Sequence, residues 1–363
     1  MFMYEYTHGG NIYGENGTAD KKIIDFSANI NPLGMPEEVI NAAKDAVTQA
    51  NIYPDSNCLR LTSELAKFED IDEAAIFCSN GASDILFRLV YAVNPKKILV
   101  TAPSFADYER AGEAVGAEVI YHELKKENCF NIDETFANVI RETSPDIAFI
   151  CNPNNPTGSL TDIRLIEEIA LACQAVNSFL LIDECFLDFL PDSYKYSAKP
   201  LTKKYRNTVI LKAFTKIFAM PGLRLGYAIC SDKALIDRMR FCGADWAVSN
   251  IAQAAGIAAL KNAKEFINNS AEYIKKERKR ITEELSCMGL TVYPSYANFI
   301  LFHCAWDNID FREELLKDNI LIRDCSNFAG LELGYYRIAV LTEDKNIKLI
   351  EALRRIKISW QNQ

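Results

Sequence analysis

Lys216 and Arg224 are the residues in this chain whose types and spacing most directly suggest chemistry. They lie in the run VILKAFTKIFAMPGLRLGYAIC, positions 209–230. The run reads as a buried strand over Thr208 to Leu211, a polar loop carrying Lys216, a Pro-Gly turn and a second apolar strand beyond Arg224. A lysine is ordinarily a solvated surface group. This one follows a strand end in an apolar context, and in open α/β sheets ligand chemistry gathers at the carboxyl ends of strands. An amine held there can lose its proton and condense with a carbonyl. Arg224 would oppose the ammonium form and offer a two-pronged donor to a phosphate.

Four further strand ends carry polar or aromatic groups of distinct kinds. Gly81-Ala82-Ser83 opens a helix, where free N–H groups and the dipole favour an anion, although small residues are also ordinary caps. Phe105, or less readily Tyr108, is placed to stack on a planar ring, or simply to fill the core. Asn155 within NNPTG has the amide to bond a ring hydroxyl, and the same residues make a good turn. Asp183 follows FLLI; a carboxylate ending a buried strand needs a partner, either an arginine or a protonated ring nitrogen. An imine-forming lysine beside a phosphate-binding arginine points to pyridoxal phosphate, and these four groups are the remaining parts of such a site.

The elements that must position these residues alternate between strand and helix from Ala74 onward. Apolar strands are expected over Ala75 to Cys78, Lys97 to Thr101, Glu118 to His122, Asp146 to Cys151 and Phe179 to Ile182. With helices between them, they describe an α/β domain with a mostly parallel sheet covered on both faces. A long amphipathic helix over 262–288 leads into short strands (Leu290 to Tyr293, Asn298 to His303, Ile320 to Arg323, Tyr335 to Val340) and two helices, a smaller α+β domain. The expected division is an N-terminal arm at 1–35 packing on the site, a large cofactor-binding domain at 36–265 and a small C-terminal domain at 266–363.

Among 363 residues, 49% are hydrophobic and 25% charged, and the net charge is −9, which argues against nucleic acid as a partner. The basic run 275–280 reads as the solvated face of the long helix. Neither a signal peptide nor an apolar run of the ~20 residues that cross a membrane is evident, so a cytoplasmic location is expected. Three separated histidines and 11 scattered cysteines without a CxxC predict reduced thiols and no metal centre.

Taken together, the ordered residues 81, 105, 155, 183, 216 and 224 resemble the fold-type I pyridoxal-phosphate enzymes of the aspartate aminotransferase superfamily, along essentially the whole chain. The resemblance implies a PLP-dependent transferase-like fold in which Lys216 bonds pyridoxal 5'-phosphate and Asp183 pairs with the ring nitrogen. By the same resemblance Asn155 bonds the ring hydroxyl, Phe105 (or Tyr108) stacks, and Gly81, Ala82, Ser83, Thr215 and Arg224 receive the phosphate. It further implies that Tyr53 reaches the phosphate of a neighbouring subunit's cofactor, hence a homodimer with shared sites, and that Arg337 holds a substrate carboxylate.

Two branches of the superfamily are similar. HGGN at 8–11, DFSANINPLG at 25–34 and IRDCSNF at 322–328 resemble the branch that decarboxylates L-threonine O-3-phosphate to (R)-1-aminopropan-2-yl phosphate for cobalamin. In that branch the small phosphorylated substrate would be held by Arg323 and Arg337, with His8, Asn29 and Asn155 completing its site. Phe186 stands where the aminotransferases usually carry a tyrosine that bonds the ring oxygen. Ala213 replaces a frequent serine, leaving Thr215 to compensate. The alternatives are histidinol-phosphate transamination, a decarboxylase preferring serine phosphate, and a non-catalytic protein that keeps the fold.

Overall fold

A computed structural model describes residues 8–13, 17–20, 22–306 and 309–361; of the expected arm, residues 1–7, 14–16 and 21 lie outside these. Seven strands form the central sheet in the order Ile76–Ser79, Gly226–Cys230, Thr208–Ala213, Phe179–Asp183, Ile147–Cys151, Lys97–Ala102, Glu118–Glu123. All pair in parallel except Gly226–Cys230, which runs antiparallel to both its neighbours. The inner strands IAFIC and FLLID are almost uniformly buried because side chains alternate between two separate cores. Leu99, Ala148, Ile150, Leu180, Ile182 and Ile210 enter one core. Val100, Phe149, Leu181, Val209 and Leu211 enter the other.

The strand carrying the polar loop extends past Leu211 to Ala213, further than expected. Lys212 does not end it, because its ammonium is paired inside the protein by Glu69, a residue remote in sequence. The expected strand Ile320 to Arg323 is also corrected. Ile320–Leu321 pairs in parallel with Ile24–Asp25 of the arm, and after Ile322 the chain crosses so that Arg323–Asp324 pairs antiparallel with Tyr335–Ala339. That crossing puts Arg323 directly opposite Arg337.

A 25-residue helix, Ala263–Cys287, leads into the four-stranded C-terminal sheet. Its basic run is only partly solvated. Lys275, Lys276 and Lys279 are exposed, whereas Arg278 donates to the Ala297 carbonyl at 2.6 Å and burial lowers its pKa to about 10. All 11 cysteines are free thiols. Among the described residues no helix is long and apolar enough to cross a membrane, and no His/Cys/Asp/Glu cluster suits a metal ion. The arm is stitched to the small domain through Phe26, whose N–H donates to Leu321 and whose carbonyl accepts from Ala339; this delivers Ser27, Ala28 and Asn29 to the sheet's carboxyl edge.

Candidate active site

A cavity of about 240 Å³ opens at the carboxyl ends of the parallel strands, lined also by residues 8, 9 and 27–29 and by Arg323 and Arg337 of the four-stranded sheet. Lys216, Asp183, Asn155, Phe105, Thr215, Arg224, Ala82, Ser83, His8, Asn29, Arg323 and Arg337 all line it, although they are drawn from positions 8 to 337. Gly81, Tyr108 and Tyr53 do not.

Each side chain is placed by a local feature of the chain. Lys216 sits in the short helix Phe214–Ile217 directly after its strand, and the arm pins that turn: Asn31 N–H donates to the Lys216 carbonyl, and Asn31 Nδ2 to the Ile217 carbonyl at 2.7 Å. Burial, with Arg337 and Arg224 adding to it, lowers the Lys216 pKa to about 8. Its Nζ lies 5.7 Å from the centroid of the Phe186 ring, so no hydroxyl of residue 186 is there to meet it. Asp183 ends its strand with both carboxylate oxygens engaged. Oδ1 accepts from Cys185 N–H at 2.9 Å, and Oδ2 accepts from the Tyr108 hydroxyl at 2.8 Å. Burial raises the Asp183 pKa against these two bonds. Tyr108, one of two candidates for stacking on a ring, is packed on Phe149, edge-on to Phe105, and does not line the cavity; its hydroxyl meets Asp183.

The helix Ala82–Val93 begins at Gly81, whose φ is +86°. A Cβ there would lie 2.8 Å from Arg224 Nη2, so the guanidinium lies against the helix start because residue 81 has no side chain. Gly226, unremarked in the sequence, serves the same cradle. A Cβ on it would fall 2.7 Å from the Ala82 nitrogen.

Arg337 is buried and its pKa is lowered to about 10 by burial. It donates to Asn155 Oδ1 and, at 2.8 Å, to the Ser27 carbonyl, while its Nε has no hydrogen-bond partner among the described residues. Arg323 donates to the Asp324 carbonyl and to Asn327 Oδ1, and its guanidinium lies over the Phe328 ring. Like charges directly opposite on paired strands are unfavourable, which suits a site that receives anions. Asn29 Oδ1 is buried without a hydrogen-bond partner among the described residues. Tyr53 is 76% exposed, stacked on Trp246 at the surface.

The residues present fit pyridoxal phosphate: a half-buried amine of lowered pKa, a strand-end carboxylate and a helix start shaped around an arginine face one cavity. Asp107, Arg110 and Cys185 escaped the sequence reading. Asp107 resembles any first-turn acid, and Cys185 contributes through its backbone N–H, which no residue type reveals.

This architecture is that of the pyridoxal-phosphate enzymes with a doubly covered, mostly parallel sheet. The chain belongs to the family described as aminotransferase class I and II, which matches residues 21–353, and its cofactor is pyridoxal 5'-phosphate. It is 34% identical over 362 residues to threonine-phosphate decarboxylase of Salmonella typhimurium, covering 98% of each chain. It is also 34% identical over 337 residues to a histidinol-phosphate aminotransferase of Caldanaerobacter subterraneus, covering 91% of this chain and 92% of the relative. Among solved structures, histidinol-phosphate aminotransferase from Clostridium acetobutylicum superimposes with a TM-score of 0.85 at 33% identity, over 92% of this chain and 99% of that one.

Proposed function

We propose that the protein is a carboxy-lyase that releases carbon dioxide from L-threonine O-3-phosphate and leaves (R)-1-aminopropan-2-yl phosphate, the aminopropanol linker of cobalamin. The observation that carries this reading is the facing pair Arg323 and Arg337 on one small cavity. A compact substrate bearing both a carboxylate and a phosphate needs two cationic clamps.

In this reading Asp183 would hold the cofactor's ring nitrogen, Asn155 its hydroxyl and Phe105 its ring. Ala82, Ser83, Thr215 and Arg224, with Gly81 giving room, would hold its phosphate. When bound, the cofactor supplies an electron sink for the pair left on the α-carbon. The protein's own residues decide which bond breaks. Arg337, whose Nη1 and Nη2 are engaged by Asn155 and Ser27 and whose Nε has no hydrogen-bond partner among the described residues, would hold and orient the substrate carboxylate. Arg323 takes the phosphate, and His8 and Asn29 close the arm over it. Lys216, its pKa lowered to about 8, would give up its proton readily, and its Nζ would be the group that holds and returns a proton in the site. Tyr53, exposed in the single chain, would reach the phosphate held by a second copy, so the active form is a homodimer with shared sites.

Histidinol-phosphate transamination is the second reading, favoured by the relatives of that name. Phe186 speaks for decarboxylation, because it leaves the cofactor's ring oxygen and Lys216 without the phenol that the aminotransferases usually supply. Product analysis separates the two. Threonine phosphate labelled in its carboxyl carbon is expected to yield labelled carbon dioxide and aminopropanol phosphate. Glutamate formed from histidinol phosphate and 2-oxoglutarate, without carbon dioxide, would overturn the proposal. Serine phosphate, one methyl smaller, is expected to be turned over less efficiently by ~10–200-fold.

A further inference from the structure

The cavity is built to receive anions, yet besides Asp183 a second carboxylate, Asp107, stands in its wall. Three groups converge on it. His8 Nε2 lies 3.1 Å from Oδ1, Arg110 Nη1 lies 2.8 Å from the same oxygen, and Ser83 Oγ donates to Oδ2 at 3.1 Å. Burial works to raise its pKa, but the bonds from His8 and Ser83 and the charge of Arg110 prevail and hold it below the usual carboxylate range. Arg110, one turn along the same helix, and Ser83 together already give this side chain a counter-charge and a hydrogen bond. The third partner comes from the far end of the chain.

The arm is shaped for that contact. A Cβ on Gly9 would fall 2.1 Å from the Ser27 carbonyl oxygen, so the backbone after His8 lies against Ser27 more closely than any side chain would allow. Gly10 N–H donates to Ser27 Oγ at 2.7 Å, and Ser27 Oγ donates in turn to Asp25 at 2.6 Å. The His8 ring then lies against Phe105, with centroids 5.5 Å apart.

We propose that Asp107 is a positioning residue that latches the arm over the site. One oxygen orients His8, while the other holds Ser83 at the start of the helix that takes the cofactor's phosphate. The wall of the substrate pocket and the floor of the cofactor pocket are thereby tied through one carboxylate, with Arg110 Nη1 also lying 3.3 Å from His8 Nε2. Only His8's contact with substrate phosphate rests on the function proposed above; the latch itself does not.

Asp107→Asn keeps the shape and removes the charge. In the holoenzyme without substrate, deuterium exchange at the amides of Gly10 and Ser27 is expected to quicken by roughly tenfold, equivalent to ~1.4 kcal/mol. KM for threonine phosphate is expected to rise about tenfold, with kcat changing less than about threefold. Asp107→Glu should recover part of both, and adding His8→Ala to Asp107→Asn should cost little more than either change alone. The visible spectrum of bound cofactor and the melting temperature are expected to stay near those of the parent enzyme. Exchange at the parent rate, or additive losses in the double variant, would each overturn the latch. Should threonine phosphate release no carbon dioxide, the exchange rates still judge the latch on their own.

Discussion

Lys212 and Lys216 lie four residues apart at one strand end, both are turned away from bulk water, and their chemistry diverges. Lys212 points to the back face of the sheet, where Glu69 lies 3.3 Å and Asp188 3.7 Å from its Nζ. Burial alone would lower its pKa, but Asp188, Glu69 and Glu184 outweigh burial and raise it. Glu69 is itself shared with Lys199 at 3.0 Å and with the Tyr227 hydroxyl. Lys216 lines the cavity at the strand ends, where its charged neighbours include Arg337 and Arg224, and its pKa falls to about 8. Two lysines of the same strand end thus become a structural ion and an amine that loses its proton more readily. Burial acts on both, and partners decide between them.

The comparison breaks first where its two halves are exchanged. Lys216→Ala is expected to lower kcat by roughly a thousandfold or more while leaving the fold intact, measured as turnover and melting temperature together. Lys212→Ala should do the reverse. Removing one partner from a buried ionic cluster is expected to cost ~3–5 kcal/mol of stability in denaturant titration, while imine formation persists in the protein that remains folded. A catalytic loss from Lys212→Ala equal to that from Lys216→Ala would dissolve the distinction.

Smaller effects sharpen it. Arg337→Lys keeps the charge but loses the planar fork, and is expected to raise KM for a carboxylate-bearing substrate by about 10–100-fold. The pH dependence of the cofactor-free protein follows from the sign of the Lys216 shift. Its folded pKa of about 8 lies below the ordinary 10.5, so between these values the unfolded chain binds more protons and stability rises with pH. Below 8 the penalty for charging the amine is fully present, and above 10.5 it is gone. Lys216→Met should therefore melt higher than the parent below pH 8, and the two curves should converge as pH approaches 10.5.

Much of this arrangement was legible because apolar runs that stop at a polar residue mark strand ends. FLLI before Asp183 and the run before Lys216 placed both groups on one edge of one sheet. The same rule misplaced the end of Thr208–Ala213, because a lysine inside an apolar run looks like a terminus until Glu69 is known to meet it. The division between Ile320–Leu321 and Arg323–Asp324 was hidden for a related reason. A single apolar strand and two short strands that change sheets share one sequence pattern, and only their partners differ. Tyr108 was recognised as an aromatic near the cofactor, but its use of the hydroxyl on Asp183 rather than the ring on a ligand depends on which way one side chain turns.

The most direct test of the account is to reduce the pyridoxal-phosphate-loaded protein with borohydride and locate the attached pyridoxyl group by peptide mass spectrometry. The account predicts one stable adduct per chain, on Lys216 and on no other residue, abolished by Lys216→Ala and retained in Lys212→Ala. An adduct on Lys212, or none on either lysine, would contradict it.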